Sequence, residues 1–203
     1  MPVSADVEKE LKSAEAVILE IKKILNSHHY TTEEYSTVVA GFIDQVLEHL
    51  EAIILLTRSN LNGSAFALVR SVVEGLVRGV WFTVCASQDQ VIKFRKDDKI
   101  DPAFGEMSDA IDAKCGIDFF ADLKKRSWNF LNSYTHTGIL QIGRRFTGNV
   151  LAPSYKDGEI IEMIRVSTSC PLLLVRPYLV RQNHIGSAKA IDAVGDGYSR
   201  KQI

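Results

Sequence analysis

Charged residues recur at four-residue intervals in one strongly helical segment: Arg70, Glu74 and Arg78. On a helix these side chains cover a band of about 80°, roughly opposite the apolar stripe. Arginine is permanently charged and binds phosphate as a fork, so one interpretation is an anion-binding or catalytic face. The alternative is a solvated face, on which each i, i+4 ion pair stabilises the helix by only about 0.2–0.5 kcal/mol. Trp81 lies in the same band, which favours a face covered by another helix or a second subunit.

A second polar stripe is formed by Lys125, Asn129, Asn132 and His136, which fall within about 60° of one another on a helix. Histidine can act as a general acid or base at neutral pH. Lysine and asparagine can hold a phosphate or a developing oxyanion. The competing interpretation is that His136 complements the dipole at a helix C-terminus, with Gly138 as the usual stop.

Two adjacent arginines, Arg144 and Arg145, follow His136 by eight and nine residues and could return positive charge to the same place, or could simply lie on the surface. Together these observations define the candidate site. The candidate catalytic residues are His136, Arg78 and Arg144. The candidate substrate-binding residues are Arg70, Glu74, Lys125, Asn129, Asn132, Tyr134 and Arg145.

Other chemical motifs are missing from the sequence. It has no G-x-G-x-x-G, no P-loop, no H-E-x-x-H and no G-x-S-x-G. The adjacent pair His28 and His29 lacks the spacing of ligands on one helix face, and the three cysteines are far apart. We therefore expect no metal site, no disulfide framework and no cofactor.

The elements that must position these residues are helices, because apolar residues recur at helical spacing along most of the chain. We expect helices over residues 7–25, 31–57, 64–85, 88–96, 102–115, 118–135 and 159–182. Asp6 and Thr31 are the expected N-caps of the first two. Pro171 and Pro177 should kink or split the last one. Residues between 136 and 158 should form a loop with one helical piece, and no strand pattern stands out.

Composition places the chain among soluble globular proteins. It has 203 residues, 46% hydrophobic, with a net charge of −1, which argues against a protein coated in basic charge for bulk nucleic-acid binding. We expect one all-α helical bundle domain over residues 1–203, with a core over about 5–182 and a frayed tail over 183–203.

The N-terminus lacks the apolar region of a signal peptide, and no apolar run is long enough to span a membrane. We expect no membrane association and a cytoplasmic location.

Two segments carry a family resemblance: SAFALVRSVVEGLVRGVW, over residues 64–81, and LNSYTHTG, over residues 131–138. They resemble a group of bacterial proteins in which an S-x-x-x-L-x-R-x-x-x-E helix precedes a helix ending in Y-x-H. That group looks like a distant branch of the HEPN superfamily (higher eukaryotes and prokaryotes nucleotide-binding). The resemblance covers roughly residues 34–145 and implies a four-helix core with additional helices.

The resemblance also implies a homodimer acting on RNA or a nucleotide, often as a metal-independent endoribonuclease in toxin–antitoxin or phage-defence systems, with a cognate partner protein. His136 matches the family's histidine. The family's arginine, four to six residues earlier, does not match, because the corresponding window holds Asn129, Phe130 and Leu131. Arg78, Arg144 or Arg126 would have to supply that charge. The alternatives are a non-enzymatic binding module that dimerises or docks a partner through its polar stripes, and a small-molecule enzyme.

Overall fold

The computed structural model describes residues 2–28 and 33–200 and shows an all-α helical bundle with one very short hairpin. The helices are α1 (Ala5–Asn26), α2 (Glu34–Arg58), α3 (Asn62–Val84), α4 (Gln88–Asp97), α5 (Phe104–Cys115), α6 (Phe120–Thr135), α7 (Ile139–Gly143), α8 (Asp157–Arg181) and α9 (Ile185–Arg200). The strands are β1 (Phe146–Thr147) and β2 (Val150–Leu151). The bundle fold is therefore as predicted. In the described ranges, no helix combines the length and the apolar character needed to cross a membrane.

α3 is the central helix and packs against α2, α5, α6 and α8. Two of its glycines permit close approach: a Cβ built on Gly75 would lie 2.6 Å from Val46 Cγ2 of α2, and one on Gly79 would lie 2.6 Å from Leu174 Cδ1 of α8. The backbone of α3 therefore lies in close contact with side chains of both α2 and α8. The apolar side of α3 is buried there, which leaves its polar side to face α6.

The start of α1 differs from the expected one. Ser4, not Asp6, caps α1, because its hydroxyl accepts the backbone N–H of Val7 at 3.3 Å. The predicted cap at Thr31 lies outside the described residues, and the described part of α2 begins at Glu34.

The two prolines do not split α8, which runs continuously from Asp157 to Arg181 with Pro171 and Pro177 inside it. A proline inside a helix costs about 3 kcal/mol. Burial offsets that cost here, because apolar residues on both sides of the prolines are buried against the rest of the bundle. They include Ile164, Leu174 and Leu179.

The tail after His184 was expected to fray, but it forms α9 and packs on α1 and α8. Ala188, Ile191 and Tyr198 are buried, and the Tyr198 hydroxyl donates to Glu10 Oε1 of α1 at 2.7 Å. Two of the glycines that suggested fraying, Gly186 and Gly197, lie off the packed side of α9, since a Cβ on either would meet nothing within 4 Å. They therefore do not interrupt the packing.

The segment between α6 and α8 contains the expected helical piece, α7, and also a hairpin that was not expected. Phe146 pairs with Leu151 and Thr147 with Val150. With two residues per strand, there is no alternation long enough to be recognised in the sequence.

Candidate functional site

The polar side of α3 carries a ladder of two arginines joined by one carboxylate. Arg70 Nε donates to Glu74 Oε1 at 2.7 Å, and Arg78 Nη2 lies 3.6 Å from Glu74 Oε2. The Arg70 and Glu74 side chains are 20% and 22% exposed, so this face is partly covered rather than freely solvated. Glu74 thus holds both guanidinium groups on one side of the helix.

His136 reaches this ladder from α6. It is the residue at the C-terminal end of the helix, with its backbone N–H bonded to Asn132 O at 2.9 Å, and it is exposed. Its Nε2 lies 2.5 Å from Arg70 Nη1. A guanidinium group has only donors, so in this hydrogen bond Nε2 is the acceptor, as it can be in the tautomer that carries its proton on Nδ1. Residues 66 positions apart in the chain therefore meet in a hydrogen bond.

Trp128 is a further member that sequence reasoning missed. The Arg70 guanidinium carbon lies 5.0 Å from the centre of the indole ring, within cation–π range. Phe104 of α5 stacks against the same ring at 4.4 Å. The signal was present, because Trp128, Asn132 and His136 are spaced by four residues and share one side of α6.

α6 is fixed at both ends by specific contacts. At its start, the buried Asp112 carboxylate of α5 accepts the backbone N–H groups of Phe119, Phe120 and Ala121 at 3.3, 3.0 and 2.9 Å. At its end, the Thr135 hydroxyl bonds Leu131 O at 2.9 Å and approaches Ala67 O of α3 at 3.4 Å. The start and the end of α6 thus determine where His136 stands relative to Arg70.

Two polar atoms in this region are buried without a hydrogen-bond partner in the described part of the chain: Asn132 Oδ1 and Arg78 Nε. Buried polar groups are nearly always bonded, and exceptions often mark places that a ligand or water completes. Asn132 lies on α6 between Trp128 and His136, and both of these side chains contact Arg70.

Arg144, expected at the catalytic site, lies elsewhere. It pairs with Glu159 and donates to Ser154 O at 3.1 Å. With Tyr134 it lines a mostly apolar groove of about 480 Å³ on another side of α6, and none of Arg70, Glu74, Arg78 and His136 lines that groove. Burial raises the pKa of the Tyr134 hydroxyl, and a hydrogen bond with Arg144 partly offsets this.

The remaining predicted residues also lie away from His136 or make no contact with it. Arg145 fills the space beside Gly63, since a Cβ there would lie 2.5 Å from Arg145 Nη2. Lys125 and Asn129 are exposed on α6. The structure therefore brings His136 of α6 against Arg70 of α3, and Glu74 links Arg70 to Arg78 along α3. Asn132 lies in the same stripe of α6 as His136. Tyr134 lies on another side of α6 from His136, and the turn after α6 directs the chain towards α8, where Arg144 pairs with Glu159.

Comparison with known proteins gives one finding. No curated protein and no solved structure matches the chain. A family model described as a family of unknown function (DUF6988) matches residues 43–200, which include Arg70, Glu74, Arg78 and the whole of α6. That match covers more than half of the chain, so the chain belongs to this family of unknown function.

Proposed function

We propose that the Arg70–His136 pair is a metal-independent site acting on the phosphodiester of RNA. The observation that carries this proposal is the hydrogen bond between Arg70 Nη1 and Nε2 of His136. It joins a proton acceptor to a permanent cation at an exposed helix end. Those are the two groups that 2′-hydroxyl attack on a phosphate needs.

The charges of the site suit the change that occurs during such a reaction. Arg70, Arg78 and Glu74 carry a net charge of +1 while His136 is neutral. A phosphodiester carries one negative charge and its phosphorane carries two. When His136 accepts the proton from the hydroxyl, the site gains one positive charge as the phosphate gains one negative charge.

The reaction balances with these groups alone. Once bound RNA draws Arg70 Nη1 from His136 Nε2 to a phosphate oxygen, Nε2 takes the 2′-hydroxyl proton as the 2′-oxygen bonds to phosphorus. The bond from phosphorus to the 5′-oxygen then breaks, and the imidazolium returns the proton to that oxygen. The products are a 2′,3′-cyclic phosphate and a 5′-hydroxyl, and only RNA offers the attacking group.

The location of the pair favours a polymer over an enclosed small molecule. His136 is exposed, and the groove beside α6 is lined by other residues. A chain that lies across the surface can present a phosphate to such a site. A distant relation to HEPN proteins belongs to this proposal, with the cation supplied from another helix rather than from the four-to-six-residue window before the histidine.

The test is cleavage of a labelled RNA in the presence of a metal chelator. We expect wild type to cut RNA but not the same sequence with 2′-O-methyl groups. His136→Ala and Arg70→Ala should each lose at least about 100-fold in rate, the usual contribution of acid–base catalysis. An inert wild type, or a His136→Ala variant that cuts as well, overturns the proposal.

Matched controls are available on the same chain. Arg126 lies on α6, pairs with Asp122 at 2.7 Å and is 79% exposed, so Arg126→Ala removes an arginine without touching the pair. His49→Ala removes a histidine from α2, outside the site. Both should keep the wild-type rate.

A second candidate is a non-enzymatic interaction module, and one observation favours it. Six large apolar residues are exposed within one short segment that follows His136: Ile139, Leu140, Ile142, Phe146, Val150 and Leu151. Clusters of exposed apolar residues commonly mark protein-binding surfaces. Under this proposal, Leu151→Ser weakens self-association or partner binding, measured by analytical ultracentrifugation, while RNA is left intact by wild type.

A further inference from the structure

We infer that the Arg70–His136 pair is an anion clamp that takes up one proton when it binds a dianionic tetrahedral oxyanion. The ligand class is a terminal phosphate or an ion of the same shape and charge. The inference rests on the site of the proposed function, because it uses the same two residues, but it does not require that RNA be cut.

In the resting state, Arg70 and His136 are joined by a direct hydrogen bond. Arg70 Nη1 donates to His136 Nε2 at 2.5 Å, so the lone pair of the imidazole is occupied. Protonation of Nε2 would place two donors against each other at this distance. The direct contact then has to open, and an acceptor oxygen between Arg70 and His136 satisfies both donors.

The net charge of the site depends on the protonation state of His136. With neutral His136 the group of Arg70, Glu74, Arg78 and His136 has a net charge of +1, and with the imidazolium it has +2. The second negative charge of a dianion stabilises an imidazolium directly beside it, whereas the single charge of a monoanion is already met by Arg70. Dianion binding should therefore draw a proton from solution, whereas monoanion binding should not.

Other titratable groups near His136 could also take up that proton. From α3, Arg70 contacts His136, and the charged groups connected to Arg70 on that helix are Glu74 and, through Glu74, Arg78. α7 has no titratable side chain. α5 contacts α6 through Phe104 at Trp128 and through Asp112 at the far end of the helix. Glu74 is thus the competing proton acceptor, and Glu74→Gln separates it from His136.

The experiment uses sulfate as the dianion and dimethyl phosphate as the monoanion, because neither changes its charge near neutral pH. Calorimetric titration in two cationic buffers of different ionisation enthalpy gives the number of protons taken up. Over the pH range in which sulfate binding draws a proton, sulfate affinity should fall as the pH rises, by about tenfold per pH unit where the uptake approaches one proton. Dimethyl phosphate should show neither effect.

Two variants test which residue takes up the proton. His136→Gln should bind sulfate with no proton uptake and no pH dependence, and Glu74→Gln should keep the uptake. Sulfate binding without uptake in wild type, uptake that survives His136→Gln, or the absence of any sulfate binding each overturns the inference. RNA cleavage that persists in those cases leaves the proposed function standing. Proton-linked sulfate binding by a protein that never cuts RNA supports the clamp and overturns the nuclease.

Discussion

At the scale of single residues, Arg70 is the hub of the candidate site. Its guanidinium group contacts Glu74 from its own helix and both His136 and Trp128 from α6. An arginine can do this because its planar group offers five donors in fixed directions and a face that stacks on aromatic rings. A lysine in this position would offer one compact ammonium group and could not make all three contacts.

The negative charge of Glu74 should weaken anion binding at the candidate site. The substitution Glu74→Gln keeps a side-chain oxygen that accepts from Arg70 Nε, but it removes the negative charge between two arginines. We expect Glu74→Gln to strengthen sulfate binding several-fold at low salt, and the gain to shrink as salt screens the charge. Sulfate titrations at two ionic strengths measure both effects.

The control for Glu74→Gln is Glu162→Gln, which removes an exposed carboxylate that lines the groove beside α6. It should leave sulfate affinity unchanged. Weaker sulfate binding by Glu74→Gln would mean that the ionised carboxylate is needed to hold the arginines in place, contrary to the prediction.

At the scale of elements, the site depends on how α3 and α6 are held against each other. The sequence predicted both helices and the polar band of each, because a period near 3.6 residues is visible without any knowledge of the fold. It could not predict that His136 meets Arg70 rather than Arg144. That choice depends on the crossing of α6 over α3 and on the turn after α6, and neither follows from local periodicity.

The close packing of α3 against α8 at Gly79 should make this glycine important for stability. Gly79→Ala places a methyl group 2.6 Å from Leu174 Cδ1. We therefore expect a loss of roughly 1–3 kcal/mol in the free energy of unfolding. Gly41, inside α2, has nothing within 4 Å of the same position, so Gly41→Ala should stabilise the protein by about 0.5–1 kcal/mol. Urea denaturation measures both, and equal effects of the two substitutions would contradict the packing argument.

At the scale of the whole molecule, the chain closes on itself through contacts between its two ends. α9 packs on α1, the Tyr198 hydroxyl meets Glu10, and Arg165 of α8 donates to the same carboxylate at 3.0 Å. The glycine-rich tail looked unstructured in sequence because its buried residues are few and widely spaced. Their partners on α1 lie at the opposite end of the chain, with Tyr198 and Glu10 separated by 188 positions, so no local pattern could reveal them.

A second contact between the two halves involves two histidines and gives a pH dependence. His28, just after α1, stacks on His184, just before α9, with ring centres 3.9 Å apart, and its Nε2 lies 2.8 Å from Ser187 Oγ. Burial, and then the neighbouring His184, lower the pKa of His28. The unfolded chain therefore binds a proton at His28 more readily than the folded chain does. The stability that this neutral ring contributes is complete above the unfolded value of about 6.5 and is lost as the pH falls below it.

We expect the free energy of unfolding to fall between about pH 7.5 and pH 5.5, which bracket the ordinary pKa of histidine. His28→Gln should reduce that fall, because the amide that replaces the imidazole cannot be protonated in this range. His49→Gln is the matched control, since His49 lies on α2, away from the junction between α1 and α9, and it should leave the pH dependence as in wild type. Urea denaturation at both pH values measures the difference. If His28→Gln and wild type lose the same free energy on acidification, the junction does not respond to pH through His28, and the contact between the rings contributes packing alone.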